Sequence, residues 1–303
     1  MDNYQQYLDP QTLAKIKDLE LQARLIVEGL VSGTHKSPYQ GVSIEFAEHR
    51  EYVPGDDIRH IDWKLYGKTN KFYLKRYEQE TNLVCNVILD TSESMKYRSG
   101  EFSKLEYGAR LAAAISYLVL HQQDSIGTVL FEDKIRYLVP PSSQLSHLKQ
   151  ILHLLAVCQP ANVKSRVGAV LNELADRFRK RSVVVLVSDC FDEVDAIISG
   201  LRHLRYKRHE VVLFHVVDPA EIDFDFKDVT LFRGLESLPE ILADPRGLRK
   251  TYQKIFGDYL KQILVACRSE NVDYQLLRTD EPLDRALSTY LVSRGRKGRL
   301  NVS

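Results

Sequence analysis

From residue 83 onward, short apolar runs alternate with longer stretches in which apolar residues recur every three or four positions. The short runs are 83–89, 182–187, 210–217 and 272–277. The first three are apolar nearly throughout, which predicts strands covered on both faces, and the fourth reads as a further strand. Residues 125–131 and 134–139 flank a polar Glu132-Asp133 pair and predict a hairpin. The longer stretches, 104–121, 145–158, 167–180, 193–205, 245–269 and 282–293, predict helices with one apolar face. Strands alternating with helices predict an α/β fold with a mostly parallel sheet and helices on both faces. An acidic stretch at 218–228 precedes an expected edge hairpin near 229–235, and the basic tail at 294–299 is expected to fray.

The first 82 residues read differently. Leu13, Ile16, Leu19, Leu21, Ala23, Leu25 and Ile26 predict an amphipathic helix over 10–30. Residues 32–82 are rich in glycine, tyrosine and charge, and Val42 to Phe46 alternates apolar with polar. A small β-rich module is expected there. The expected domains are therefore 1–82, an N-terminal helix with this module, and 83–303, the α/β domain with a closing helix.

Composition narrows the functional classes. The chain has 303 residues, 44% of them hydrophobic, and a formal net charge of +1. No global field draws it to nucleic acid or to a membrane surface. Its 4 cysteines are far apart and form no Cys-x-x-Cys pair, so reduced thiols in a cytoplasmic protein are expected. No run of roughly 18 apolar residues suggests a membrane span.

The chemistry concentrates where the first strand of the sheet ends, at Val87-Ile88-Leu89-Asp90-Thr91-Ser92-Glu93-Ser94. In open α/β sheets, ligands bind beyond the carboxyl ends of the strands. Asp90, Ser92 and Ser94 are expected to converge there. A second acid, Asp189, follows the strand at 182–187, and Ser165 precedes a helix on a loop that could face them. Mg²⁺ takes six oxygen ligands and commonly keeps waters. Two carboxylates with three hydroxyls suit it, with Mn²⁺ or Ca²⁺ as alternatives, and leave the ion open to a carboxylate from another protein. A capping or turn role for the same serines and aspartate is the competing reading.

The Asp90-x-Ser92-x-Ser94 pattern with Ser165 and Asp189 resembles the metal-ion-dependent adhesion site of von Willebrand factor A domains. Upstream, Tyr52-Val53-Pro54-Gly55-Asp56-Asp57-Ile58-Arg59-His60-Ile61-Asp62-Trp63, together with Gly41, Glu45, Phe46, Arg76 and Glu78, resembles the bacterial family called domain of unknown function 58. The likeness runs on to Tyr290-Leu291-x-x-Arg294. It implies a von Willebrand factor A-like sheet, a metal held by Asp90, Ser92, Ser94, Ser165 and Asp189, and association with MoxR-type AAA+ ATPases. The family's third ligand is usually a threonine followed by an acid or amide. Here Ser165 is followed by Arg166, which places a cation near the metal loop.

The expected function is that of a binding module, not an enzyme. Ser92→Ala and Asp189→Ala are expected to weaken partner capture more than stability. A rival reading is a Mg²⁺-dependent phosphatase using Asp90 as nucleophile, but that chemistry needs a second acid two residues on, where Ser92 stands. A structural module with an empty site is the third reading. Cys190, with no histidine nearby in sequence, reads as a buried thiol. The Tyr52 to Trp63 run reads as scaffold in preference to a binding surface, and the basic segments at 177–181 and 202–209 as solvated helix ends.

Overall fold

The computed structural model describes residues 44–51, 63–69, 71–79, 83–160, 163–232 and 241–287. The expected helix at 10–30, residues 52–62 of the Tyr52 to Trp63 run, the end of the closing helix and the basic tail lie outside them. The chain forms two compact units, one over 36–83 and a larger one that includes 84–287. In the smaller unit, β1 (Ile44–Glu51) and β2 (Tyr73–Gln79) pair antiparallel, with a register shift between Phe46 and Glu48. A short helix, α1 (Trp63–Thr69), lies between them in sequence. A β-rich module was expected over 32–82, and this hairpin falls within it.

The larger unit is built on a six-stranded sheet. Its strands are β3 (Val84–Asp90), β4 (Ser125–Phe131), β5 (Ile135–Ser142), β6 (Val183–Ser188), β7 (Glu210–Val217) and β10 (Asp273–Arg278). The spatial order is β10-β7-β6-β3-β4-β5, and all pairs are parallel except the β4–β5 hairpin at one edge. The sheet's central strands are apolar on both faces because helices cover both. On one face, Cys85, Val87 and Leu89 pack with α2 (Lys104–His121) and α3 (Ser146–Val157). On the other, Ile88, Val129, Phe131, Val184 and Leu186 pack with α4 (Val167–Arg177), α5 (Val194–Tyr206) and α7 (Pro245–Ser269). Between β7 and α7 come the single turn α6 (Pro219–Asp223) and a two-stranded ribbon, β8 (Thr230–Phe232) with β9 (Ile241–Ala243). Its first strand falls in the 229–235 stretch where an edge hairpin was expected, but its second lies further along the chain and the pair forms a sheet of its own. Among the described residues no helix is long and apolar enough to cross a membrane.

Helices α4 and α5 approach very closely. A Cβ on Gly168 would lie 2.4 Å from both the carbonyl carbon and oxygen of Ala196. Those are backbone atoms, so relief requires the helices to part. Gly168→Ala is expected to cost about 3 kcal/mol in urea denaturation, as overpacking of a rigid contact does. A cost below about 0.5 kcal/mol would show that the helices separate freely.

The basic segments pair locally: Arg177 with Glu173, Arg181 with Glu210, Lys207 with Asp176 and Arg202 with Glu270. The acidic stretch after β7 begins inside the fold. Asp218 is fully buried and caps α6, accepting from the Ala220 amide at 2.8 Å.

Candidate metal centre

Parallel register places the first contacts. Leu89 pairs with Val187, so the next residues, Asp90 and Ser188, end adjacent strands side by side. Side chains alternate along a strand, so Asp90 follows Ile88, and Ser188 follows Leu186, onto the face covered by α4 and α5. The Ser188 hydroxyl donates to Asp90 Oδ2 at 2.7 Å. Ser165, just before α4, donates to the same oxygen at 2.9 Å. The Ser92 amide donates to Asp90 Oδ1 at 3.0 Å, and the Ser92 and Ser94 hydroxyls lie 3.1 Å apart. Ser94 also reaches Asp189, whose charge acts on Asp90. The structure therefore brings together all five residues singled out in the sequence.

The loops carrying them are fixed from several sides. Thr91 bonds the Phe131 carbonyl through its amide (2.8 Å) and its hydroxyl (2.9 Å). The Glu93 amide donates to the Val163 carbonyl at 3.2 Å, and the Arg166 amide to the Glu132 carbonyl at 3.1 Å. The Arg166 side chain is exposed, whereas Ser165 is fully buried. Cys190 sits in the left-handed region at φ 56°, where a non-glycine residue is strained. His215 Nε2 against the Asp189 carbonyl (2.9 Å), the Ser188 hydroxyl against the Cys190 amide (2.9 Å) and the Tyr259 hydroxyl on the Cys190 carbonyl hold that bend.

Four participants were not singled out in the sequence. Ser188 is legible in hindsight, since it is the strand residue beside Asp189. Lys104 is the first residue of α2, after the Ser103 cap, where the helix dipole disfavours a cation. Its ammonium is buried, 2.7 Å from Asp189 Oδ2 and 2.7 Å from Glu221 Oε1. Glu221 completes a capping box on α6 by accepting from the Asp218 amide at 2.8 Å. His215 lies inside an apolar strand, and no sequence pattern points to it.

The electrostatics are unbalanced. Burial, and then the negative charge of Asp189, push the Asp90 carboxyl up to about 7. Burial also opposes the charge on Asp189, but Lys104 outweighs it and holds that carboxyl below its ordinary value. Burial would lower Lys104, yet its two carboxylate partners raise it, so it stays charged. Burial drives His215 down to about 4, which keeps the ring neutral. Asp189 and Glu221 thus share a single ammonium, while Asp90 feels the negative charge of Asp189.

Among the described residues, no three His, Cys, Asp or Glu side chains group as a metal site. The cluster has two carboxylates, and its remaining donors are serine hydroxyls. Such a set suits a hard cation of the Mg²⁺ kind, which takes oxygen ligands only and retains waters. Asp90, Ser92 and Ser165 have no exposure, Ser94 keeps 4% and Asp189 6%, so any opening lies at the last two. Phe191, half exposed, follows close by in the chain.

Fold and site together define a doubly wound α/β protein with a buried, acid- and hydroxyl-rich cluster at the carboxyl ends of its central strands. The chain belongs to the family described as protein of unknown function DUF58, whose model matches residues 48–256. Uncharacterized proteins of Mycobacterium bovis and Mycobacterium tuberculosis are each 26% identical over 299 residues, covering 96% of this chain and 92% of their own. Among solved structures, the chain is similar to the conserved hypothetical protein BatB from Bacteroides thetaiotaomicron (TM-score 0.48, 16% identity, 71% of this chain and 99% of that one). A comparable likeness links it to an aerotolerance-related membrane protein from Bacteroides fragilis (TM-score 0.46, 16% identity, 70% and 99%).

Proposed function

We propose that this chain is a non-catalytic binding module with a von Willebrand factor A-like metal site. A Mg²⁺ ion held by Asp90, Ser92, Ser94, Ser165 and Asp189 would take a carboxylate from a partner protein as its completing ligand. The observation that carries this reading is the convergence of three hydroxyls and two buried carboxylates on one spot with too little positive charge to balance it. Bound between them, the ion would supply the missing charge. The serines leave it only partly neutralised, so an anionic ligand is attracted. A MoxR-type AAA+ ATPase is the partner class favoured by the family resemblance, in a cytoplasmic assembly or activation step.

The hydrolase alternative has less support. Its nucleophile would be Asp90, but the residue two positions on is Ser92, which lies against Ser94 and has no carboxyl to protonate a leaving group.

The test is calorimetric titration of Mg²⁺ into the wild type and Asp90→Ala. Loss of at least about a hundredfold in affinity is expected, since the carboxylate on which the Ser165 and Ser188 hydroxyls converge is gone. Pull-down of the candidate ATPase with Mg²⁺, and with chelator, then checks recognition. Equal Mg²⁺ affinity in the two proteins removes the site, and capture unaffected by chelator removes the metal-dependent partner.

A further inference from the structure

Lys104 has a place in the cluster that neither capping nor core packing explains. Its ammonium is the cation nearest Asp189, and it sits at a helix start whose dipole opposes it. The groups facing it are Asp189, Glu221 and, at 5.9 Å from the ring centre, Tyr97. A divalent ion that used Asp189 Oδ2 would have to displace the ammonium. One that used Oδ1 would lie within a few ångströms of it, with little water to screen the repulsion.

We propose that Lys104 is an internal competitor of the divalent ion for Asp189, and that Glu221 is the acceptor that draws it away. This deepens the metal-site reading and rests on it. Without metal, Lys104 bridges the two carboxylates. Entry of the ion shifts the ammonium onto Glu221, whose side chain keeps 24% exposure and has room to adjust, against 4% for Asp189. Because Glu221 also holds the Asp218 amide, metal occupancy is passed to α6, the turn after the neighbouring strand. Lys104 thereby sets the affinity of the site and couples it to a surface segment.

The two partners give substitutions of opposite sign. Lys104→Met removes the competitor, so Mg²⁺ binding to the full chain should tighten by about tenfold or more. Glu221→Gln leaves Lys104 with Asp189 alone, so binding should weaken by roughly the same factor. Lys104→Arg keeps the charge and should stay near or below the wild-type affinity. A purely structural Lys104–Glu221 bridge would weaken binding in both single variants. Calorimetry with Mg²⁺ reads the affinities, and the Mg²⁺-induced rise in melting temperature gives a second readout. That rise should be larger in Lys104→Met than in the wild type. Lys104→Met no tighter than wild type, or Glu221→Gln tighter, overturns the competition while leaving the site intact. Absence of Mg²⁺ binding in the wild type and both variants overturns the site itself and the competition with it. If Lys104→Met does not fold at any Mg²⁺ concentration, Lys104→Gln, which also lacks the charge, takes its place with the same tightening expected and the same overturning result.

Discussion

Replacing Asp90 with asparagine is expected to abolish stabilisation by Mg²⁺ and, without metal, to leave the variant increasingly more stable than the wild type as pH rises from 4 to 8. The carboxyl is fully buried and its affinity for a proton is raised from 3.8 to about 7. Between those values the folded chain holds a proton that the unfolded chain has released, so the contribution of Asp90 to stability falls as pH rises. Above about 7 both states are ionised and the loss is complete, on the order of 4 kcal/mol. Asparagine carries no such charge, and the hydroxyls of Ser165 and Ser188 can turn to serve as acceptors.

His215 contributes the opposite slope in both proteins. Its folded value is depressed to about 4, so stability from this group is lost as pH falls from 6.5 toward 4. The wild type should therefore change little over that interval, whereas Asp90→Asn should gain stability with rising pH. Urea denaturation in chelator at several pH values measures the difference. A gap between variant and wild type that does not grow with pH would mean that Asp90 is not a buried, uncompensated carboxylate. Adding Mg²⁺ at pH 8 should close the gap by stabilising the wild type alone.

The second large effect belongs to Asp189→Ala. The sequence suggests a loss of partner capture larger than the loss of stability. The buried ion pair changes that expectation. The substitution takes from Lys104 the nearer-buried of its two carboxylates, at 2.7 Å, and also removes the acceptor of the Phe191 amide at 3.2 Å. A buried charge stripped of a partner typically costs about 3–5 kcal/mol, far more than the intact pair contributes. Asp189→Ala is expected to fall in that range in metal-free denaturation. Combining Lys104→Met with Asp189→Leu should recover most of the loss, because the stranded charge is gone and apolar volume replaces it. A single-variant cost under about 1 kcal/mol, or no recovery in the double variant, would show that Lys104 finds water instead.

Ser92→Ala behaves differently. Its hydroxyl meets the Ser94 hydroxyl and the Asp90 carboxyl, both hydrogen-bonded by other groups as well, so a modest stability change with a larger loss of Mg²⁺ affinity remains the expectation.

Much of this protein was decided by local pattern. Continuous apolar runs fix β3, β6 and β7 as central strands, since only a strand covered on both faces tolerates them. The α2 and α7 bounds, Lys104–His121 and Pro245–Ser269, coincide with the stretches read from periodicity because Ser103 and Asp244 cap them. Asp90, Ser92 and Ser94 were legible because an acid and two hydroxyls directly follow a buried strand. What the sequence could not show is which strands are neighbours. Order and register put Ser188 beside Asp90, and the fold alone brings Lys104, Asp189 and Glu221 together across 85 and 117 residues of chain. The charge balance of the cluster is a property of that meeting. A carboxylate's proton affinity depends on burial and on charges within a few ångströms, and neither is written in the local order of residues.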